Sequence, residues 1–306
     1  MKKVKVNLEY LPQYNAFGLA DDVVEKIQKD GDLPIISLKR DDYKKIGCKP
    51  PKKNAPTVAF LMGREKGFYT IDFDYAKTVA QSNVKIRFLT YGENVAQMDG
   101  VDGLILPGGS FDSPDAFYTD PLKKTNNKPG DRSYAYVSSV MVAKENKMPI
   151  LGICAGAQIV GSMHKMKMLR NVKEYAKAKV KHKTKNLEAH EISIVADSPL
   201  YELLGEKNLV VNSRHNEAMA PDVGESNLKI YACGKDGIPE AWGNEDEKVL
   251  CVQWHPENFA SKGDKTMQKI YNWVAGRARI YQKQKELRKM LQKNKKLLLK
   301  QVEKQR

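Results

Sequence analysis

Residues 151–158 read LGICAGAQ, and with Pro149 and Ile150 ahead of them they decide the fold. An apolar run ends at Cys154, which stands two residues from Gly152 on one side and Gly156 on the other, and a helical pattern follows at once. A strand that turns into a helix this abruptly needs small residues at both flanks, and it lifts the intervening side chain out of the sheet on unfavourable backbone angles. A thiol in that position also meets a helix N-terminus, whose partial positive charge favours the attacking thiolate. The pattern is that of a nucleophile elbow.

Strand-like runs and helical periods alternate upstream of the elbow. They are VKVNL at 4–8, a helix about 18–30, PIISL at 34–38, TVAFLM at 57–62, a helix about 71–82, VKIRFLTY at 84–91, GLILPGG at 103–109 and a helix about 133–147. This order predicts an α/β fold, an open and mostly parallel sheet with helices on both faces. Downstream, EISIVA, NLVVNS, LKIYACG and KVLCVQWHPE follow one another with turns but no long helix between, so hairpins continue the sheet until helix returns near Gly263. Residues 1–55 read as an N-terminal βα extension on the sheet edge, or as a weak duplication of 57–91, closed by the Lys/Pro-rich linker CKPPKKNAP at 48–56. The central domain is placed at 56–276.

The chain has 306 residues and a formal charge of +15. Much of that charge is at one end: 277–306 holds 12 basic and 2 acidic residues, which leaves 40 against 35 for the rest. This tail has no Pro and no Gly, so one long helix is expected, with Ile280, Leu287, Leu291, Leu298 and Val302 along one face. That stripe suits packing on the body or on a second copy or other protein partner. A basic amphipathic helix also suits nucleic acid or an acidic membrane surface. Four cysteines at unrelated spacings suggest a reducing, cytoplasmic setting. The longest uncharged stretch, 148–163, carries Gln158 and three Gly in 16 residues, too short and polar to cross a bilayer. MKKVKVNLEY lacks the apolar run of a signal peptide.

A thiolate nucleophile needs a base, and the base needs a group to orient it. In VLCVQWHPEN, His255 ends a strand and Pro256 restricts it to extended backbone, which would put His255 and Glu257 on one side. An acyl-transfer site also needs donors for the oxyanion. The Gly pair after the strand LIL offers Gly109, and the residue after the nucleophile offers Ala155, at the edge where open sheets bind ligands. His164, His182 and His190 share no ligand spacing with Cys or acidic residues, so neither a metal nor a cofactor is expected.

Across roughly residues 57–276, LPGGSFDSP, GICAGAQ, DSPLYELLG, VNSRHNEAM, DGIPEAW and VQWHPE stand in the order and spacing of one superfamily. The chain resembles the class I glutamine amidotransferase-like proteins, and among them most the γ-glutamyl hydrolases of the γ-glutamyl-γ-aminobutyrate hydrolase group. The resemblance implies a Cys154–His255–Glu257 triad, hydrolysis of a γ-glutamyl amide through a thioester, and substrate contacts at Gln158, His215 and Glu240. Asn216, Glu217 and Ala155 depart from that group's usual His, Gln and Arg, which implies an altered pocket in which Glu217 needs a partner such as Arg214. An amidotransferase subunit that passes ammonia to a synthase, or a binding module built on the basic helix, are the other readings.

Overall fold

A computed structural model describes residues 3–6, 36–65, 68–89, 98–109, 113–120, 131–175 and 180–304. The expected helix at 18–30 lies outside these residues. In chain order the early elements are β1 (Lys3–Val6), β2 (Ile36–Ser37), α1 (Arg40–Lys45), β3 (Thr57–Leu61), β4 (Gly63–Glu65), β5 (Phe68–Asp72), α2 (Phe73–Ala80), β6 (Lys85–Leu89) and β7 (Gly103–Leu106). Then come α3 (Asp131–Glu145), β8 (Ile150–Ile153), α4 (Ala155–Met163), β9 (Met168–Leu169), α5 (Val172–Tyr175), β10 (His190–Ile194), α6 (Pro199–Leu204) and β11 (Asn208–Val211). The chain continues through β12 (Ala218–Met219), β13 (Lys229–Gly234), β14 (Pro239–Asn244), β15 (Val249–Val252), α7 (Glu257–Ala260) and α8 (Lys265–Lys304).

The main sheet runs β11-β10-β13-β14-β15-β8-β7-β3-β6-β2. Its middle, from β15 through β8, β7 and β3 to β6, is parallel. Strands covered on both faces are apolar without alternation, and Val58, Ala59, Phe60, Leu104, Ile105, Leu106, Ile150, Leu151 and Ile153 are all buried. The second-half hairpins β10–β13–β14 extend one end antiparallel, as expected from the missing helices.

The N-terminal segment divides. β2 pairs antiparallel with β6 at the sheet edge, whereas β1 joins β5 and β4 in a separate three-stranded sheet. The β4–β5 hairpin, which the apolar pattern did not announce, supplies the edge on which β1 pairs; the expected βα unit therefore does not sit on the main sheet as one piece.

α8 is one helix of 40 residues. Met267, Ile270, Tyr271, Val274, Ala278 and Tyr281 are its buried face. Glycine at 103 lets the helix approach, since a Cβ there would stand 3.1 Å from Ala278 Cβ. Among the described residues its last hydrogen-bonded tie is Lys285, whose Nζ donates to Asp102 Oδ1 at 2.6 Å and to the Val101 carbonyl at 3.1 Å. Beyond that the helix is exposed, Leu291 and Leu298 being 60% and 62% accessible. Among the described residues the expected stripe from Ile280 to Val302 therefore does not pack on the body beyond Tyr281. Periodicity specified the face, but no described strand lies beneath this half of the helix. The break in burial comes near 285 rather than at 277. Among the described residues no helix is long and apolar enough to cross a membrane.

Candidate active site

Three neighbouring parallel strands, β15, β8 and β7, end at one edge, and the segments that follow them carry His255, Cys154 and the Gly108–Gly109 pair. Cys154 alone turns the chain from β8 into α4, at φ 52° and ψ −115°. A non-glycine residue holds such angles only when its surroundings enforce them. Here Cys154 N–H donates to the Val252 carbonyl at 2.8 Å, and the Cys154 carbonyl accepts from Gln158 N at 3.0 Å. The flanking glycines are steric necessities. A Cβ at 156 would stand 2.0 Å from the Leu106 carbonyl oxygen, and one at 152 would stand 2.7 Å from Ala157 Cα. Gly156→Ala is therefore expected to destabilise the chain by about 2 kcal/mol or more, because the atom it strikes is backbone of β7. A denaturant midpoint equal to that of the unmodified chain would remove this account of the elbow.

His255 and Glu257 meet by a different route from the extended one expected. Pro256 is helical (φ −64°, ψ −24°), and Glu257 is the first residue of α7. The helical turn brings Glu257 Oε1 to 2.7 Å from His255 Nδ1. Its other oxygen accepts from the Tyr271 hydroxyl on α8 at 3.2 Å, so the buried carboxylate is engaged at both oxygens. An ionised carboxylate only accepts, so the proton lies on Nδ1 and Nε2 remains for chemistry. Asn212 clamps the backbone of His255, its Oδ1 accepting from His255 N and its Nδ2 donating to His255 O, both at 2.8 Å. Burial opposes protonation of His255, but the Glu257 carboxylate and then Cys154 outweigh it and raise its pKa to about 10. Both side chains converge on Gly108, where a Cβ would stand 2.7 Å from His255 Cε1 and 2.9 Å from Cys154 Cβ.

The Gly pair is pinned peptide by peptide. Tyr136 donates to the Pro107 carbonyl at 2.7 Å, and Gly108 N–H donates to the Tyr75 hydroxyl at 3.0 Å, itself 3.2 Å from His255 Nδ1. Arg132 Nη2 donates to the Gly108 carbonyl at 3.0 Å. Carbonyl and N–H of a trans peptide point in opposite directions, so this bond turns the Gly109 N–H away from Arg132. Ala155 N–H is in the first turn of α4, where helix donors lack intrahelical partners.

Gln158 is buried beside the thiol through one intermediary. Its Nε2 donates to Gln253 Oε1 at 3.1 Å and to the Glu217 carbonyl at 2.8 Å, and Gln253 Nε2 lies 3.7 Å from Cys154 Sγ. The Glu217 carboxylate accepts from the Tyr118 hydroxyl at 2.7 Å, with Arg170 stacked on that ring at 3.8 Å, while Arg214 is exposed. The suggested Arg214 pairing is thus not the one formed.

His215 and Glu240 lie together in a buried cluster with His182 and His190, which the sequence spacing did not indicate. Antiparallel neighbours bring them together. β10 begins at His190, β14 carries Glu240, and His215 N–H donates to the His182 carbonyl at 2.9 Å. Glu240 is fully buried, and the surrounding imidazoles hold its carboxyl well below the ordinary range despite that burial. Sequence reasoning missed Tyr75, Arg132, Tyr136, Asn212, Gln253 and Tyr271. Asn212 and Gln253 fall inside quoted motifs, whereas the other four depend on how α2, α3 and α8 pack.

The fold and the cysteine elbow define a protein of the class I glutamine amidotransferase-like superfamily. A crystal structure of a glutamine amidotransferase from Thermotoga maritima matches with a TM-score of 0.51 at 12% identity, over 74% of this chain and 99% of that one. The Peptidase C26 profile matches residues 64–257, and the chain belongs to that family, among cysteine-type hydrolases and amidotransferases. It is 33% identical over 174 residues to protein NtpR of Enterococcus hirae, covering 53% of this chain and 69% of that one. Against the glutamine amidotransferase-like protein YvdE of Lactococcus lactis it is 31% identical over 161 residues, 51% of this chain and 66% of the other. The chain thus spans about two thirds of the length of these relatives.

Proposed function

We propose that the chain hydrolyses a γ-glutamyl amide with Cys154 as nucleophile, His255 as acid and base, and Glu257 as the group that orients the imidazole. The observation that carries the reading is the 2.7 Å His255–Glu257 bond set beside a strained cysteine at the ends of adjoining strands. With His255 protonated, Cys154 acts as thiolate and its Sγ attacks the γ-carbonyl carbon. The carbonyl π electrons move to oxygen, which receives the N–H groups of Gly109 and Ala155. Collapse breaks the C–N bond as His255 Nε2–H passes its proton to the leaving nitrogen, giving a γ-glutamyl thioester. Neutral His255 then takes a proton from water, hydroxide adds to the thioester, and the thiolate leaves with glutamate released. Gln158 is the substrate contact kept in this reading, since it adjoins the thiol through Gln253.

The likeness of relatives to glutamine amidotransferases keeps glutamine itself in the test. Purified protein is expected to release glutamate from a panel of γ-glutamyl amines and dipeptides faster than from glutamine. Release from glutamine alone, or only once a partner protein is added, would replace this reading with that of an amidotransferase subunit.

A further inference from the structure

The cluster behind the candidate active site has the makings of a metal centre. His182 Nδ1, His190 Nε2 and His215 Nε2 approach Glu240 Oε1 at 3.4, 3.1 and 3.7 Å. The candidate ligand atoms of His182, His190 and Glu240 all lie within 4.8 Å of one another. Two tautomers are fixed by partners that only accept. His182 Nε2 meets Asp236 Oδ2 at 2.7 Å, and His215 Nδ1 meets the Glu217 carbonyl at 2.8 Å, so both of those nitrogens carry the proton. In the neutral imidazoles His182 Nδ1 and His215 Nε2 then present lone pairs to the carboxylate. Both are buried without a hydrogen-bond partner, as is Glu240 Oε2. Lone pairs facing a buried carboxylate repel it unless a proton or a metal cation lies between them. Asp236 and Glu240, with side chains fully buried, also leave two negative charges to balance.

We propose that His182 Nδ1, His190 Nε2 and Glu240 hold a divalent transition-metal ion, with Zn²⁺ best suited to this donor set. Tetrahedral Zn²⁺ with bonds of about 2.0–2.1 Å has ligand–ligand edges of about 3.3 Å, and the two histidine nitrogens stand 3.4 and 3.1 Å from Glu240 Oε1. Asp236 supplies the outer hydrogen bond that orients His182. Three protein ligands leave one position of the tetrahedron for water or a further donor, and His215 Nε2 lies 3.7 Å from Glu240 Oε1 beside them. The ion ties residues 182–190 to β14. The Glu217 carbonyl that accepts from His215 also accepts from Gln158, so hydrogen bonds join this cluster to the side chain beside the thiol.

The test uses the full-length Cys154→Ala chain, so that the nucleophile cannot capture the ion. After stripping with chelator and addition of Zn²⁺, about one equivalent should survive desalting and the melting temperature should rise by several degrees. His182→Ala and His190→Ala should each weaken binding at least tenfold. Co²⁺ should give the intense visible bands of four-coordinate nitrogen and oxygen ligation. A folded chain that retains no ion, or retains it undiminished in both histidine variants, overturns the proposal in favour of a network balanced by protons. If the variants fail to fold, the Co²⁺ spectrum of the parent decides: six-coordinate or thiolate-type bands overturn it. None of these readouts depends on catalysis, so failure here leaves the hydrolase reading untouched.

Discussion

Cys154→Ala is expected to lower kcat for glutamate release by on the order of 10⁴-fold or more while the chain stays folded. Replacing a nucleophile leaves only positioning and oxyanion stabilisation, which contribute far less than the covalent route. Alanine is also the gentlest probe of the elbow, because it keeps a Cβ at φ 52° and removes only a sulfur that is 7% exposed with its residue. An unchanged melting temperature beside the lost activity would separate chemistry from folding. A Cys154→Ala chain that retains kcat within tenfold would exclude Cys154 as nucleophile.

Glu257→Gln should cost nearly as much, on the order of 10³–10⁴-fold in kcat, and it carries a pH signature that a merely structural change would not. The carboxylate is the foremost influence raising the His255 pKa from 6.5 to about 10. A raised histidine pKa means that the imidazolium, and the stability it contributes, is fully present below about 6.5 and is lost as the pH climbs through about 10. In the unmodified chain kcat/KM should therefore hold on the alkaline side until the pH nears 10. With glutamine at 257 the alkaline limb should move down, toward the ordinary histidine range. The pH–rate profiles of the two chains, taken with one γ-glutamyl substrate, make the comparison. Coincident alkaline limbs would mean that Glu257 does not tune His255.

How far the sequence could be read depended on whether a feature is local. The elbow was legible because an apolar strand, a cysteine and two glycines lie within seven residues, and the glycines act against atoms no farther away than the adjoining strand. The central strands were legible for the same reason, since β3, β7 and β8 are short apolar runs bounded by turn residues. His255 and Glu257 do touch, though on a helical turn rather than the expected strand, because residues two apart meet on either. The histidine cluster was illegible because its members come from four separated segments, which the β10–β13–β14 pairing and the backbone bridge between the 182–183 and 214–215 segments bring together. The outer half of α8 failed for a related reason. An apolar stripe states which face of a helix could be buried, but among the described residues nothing lies beneath Leu287 to Val302, and their apolar side chains stay exposed.

The central claim, covalent hydrolysis at the elbow, is tested most directly by quenching the protein in acid during turnover of a γ-glutamyl amine and measuring the mass of the peptide that contains Cys154. The account predicts a glutamyl adduct on that peptide, labile to hydroxylamine as a thioester is, and absent from the Cys154→Ala chain. Steady turnover with no adduct at Cys154, and an undiminished rate in the Cys154→Ala chain, would contradict it.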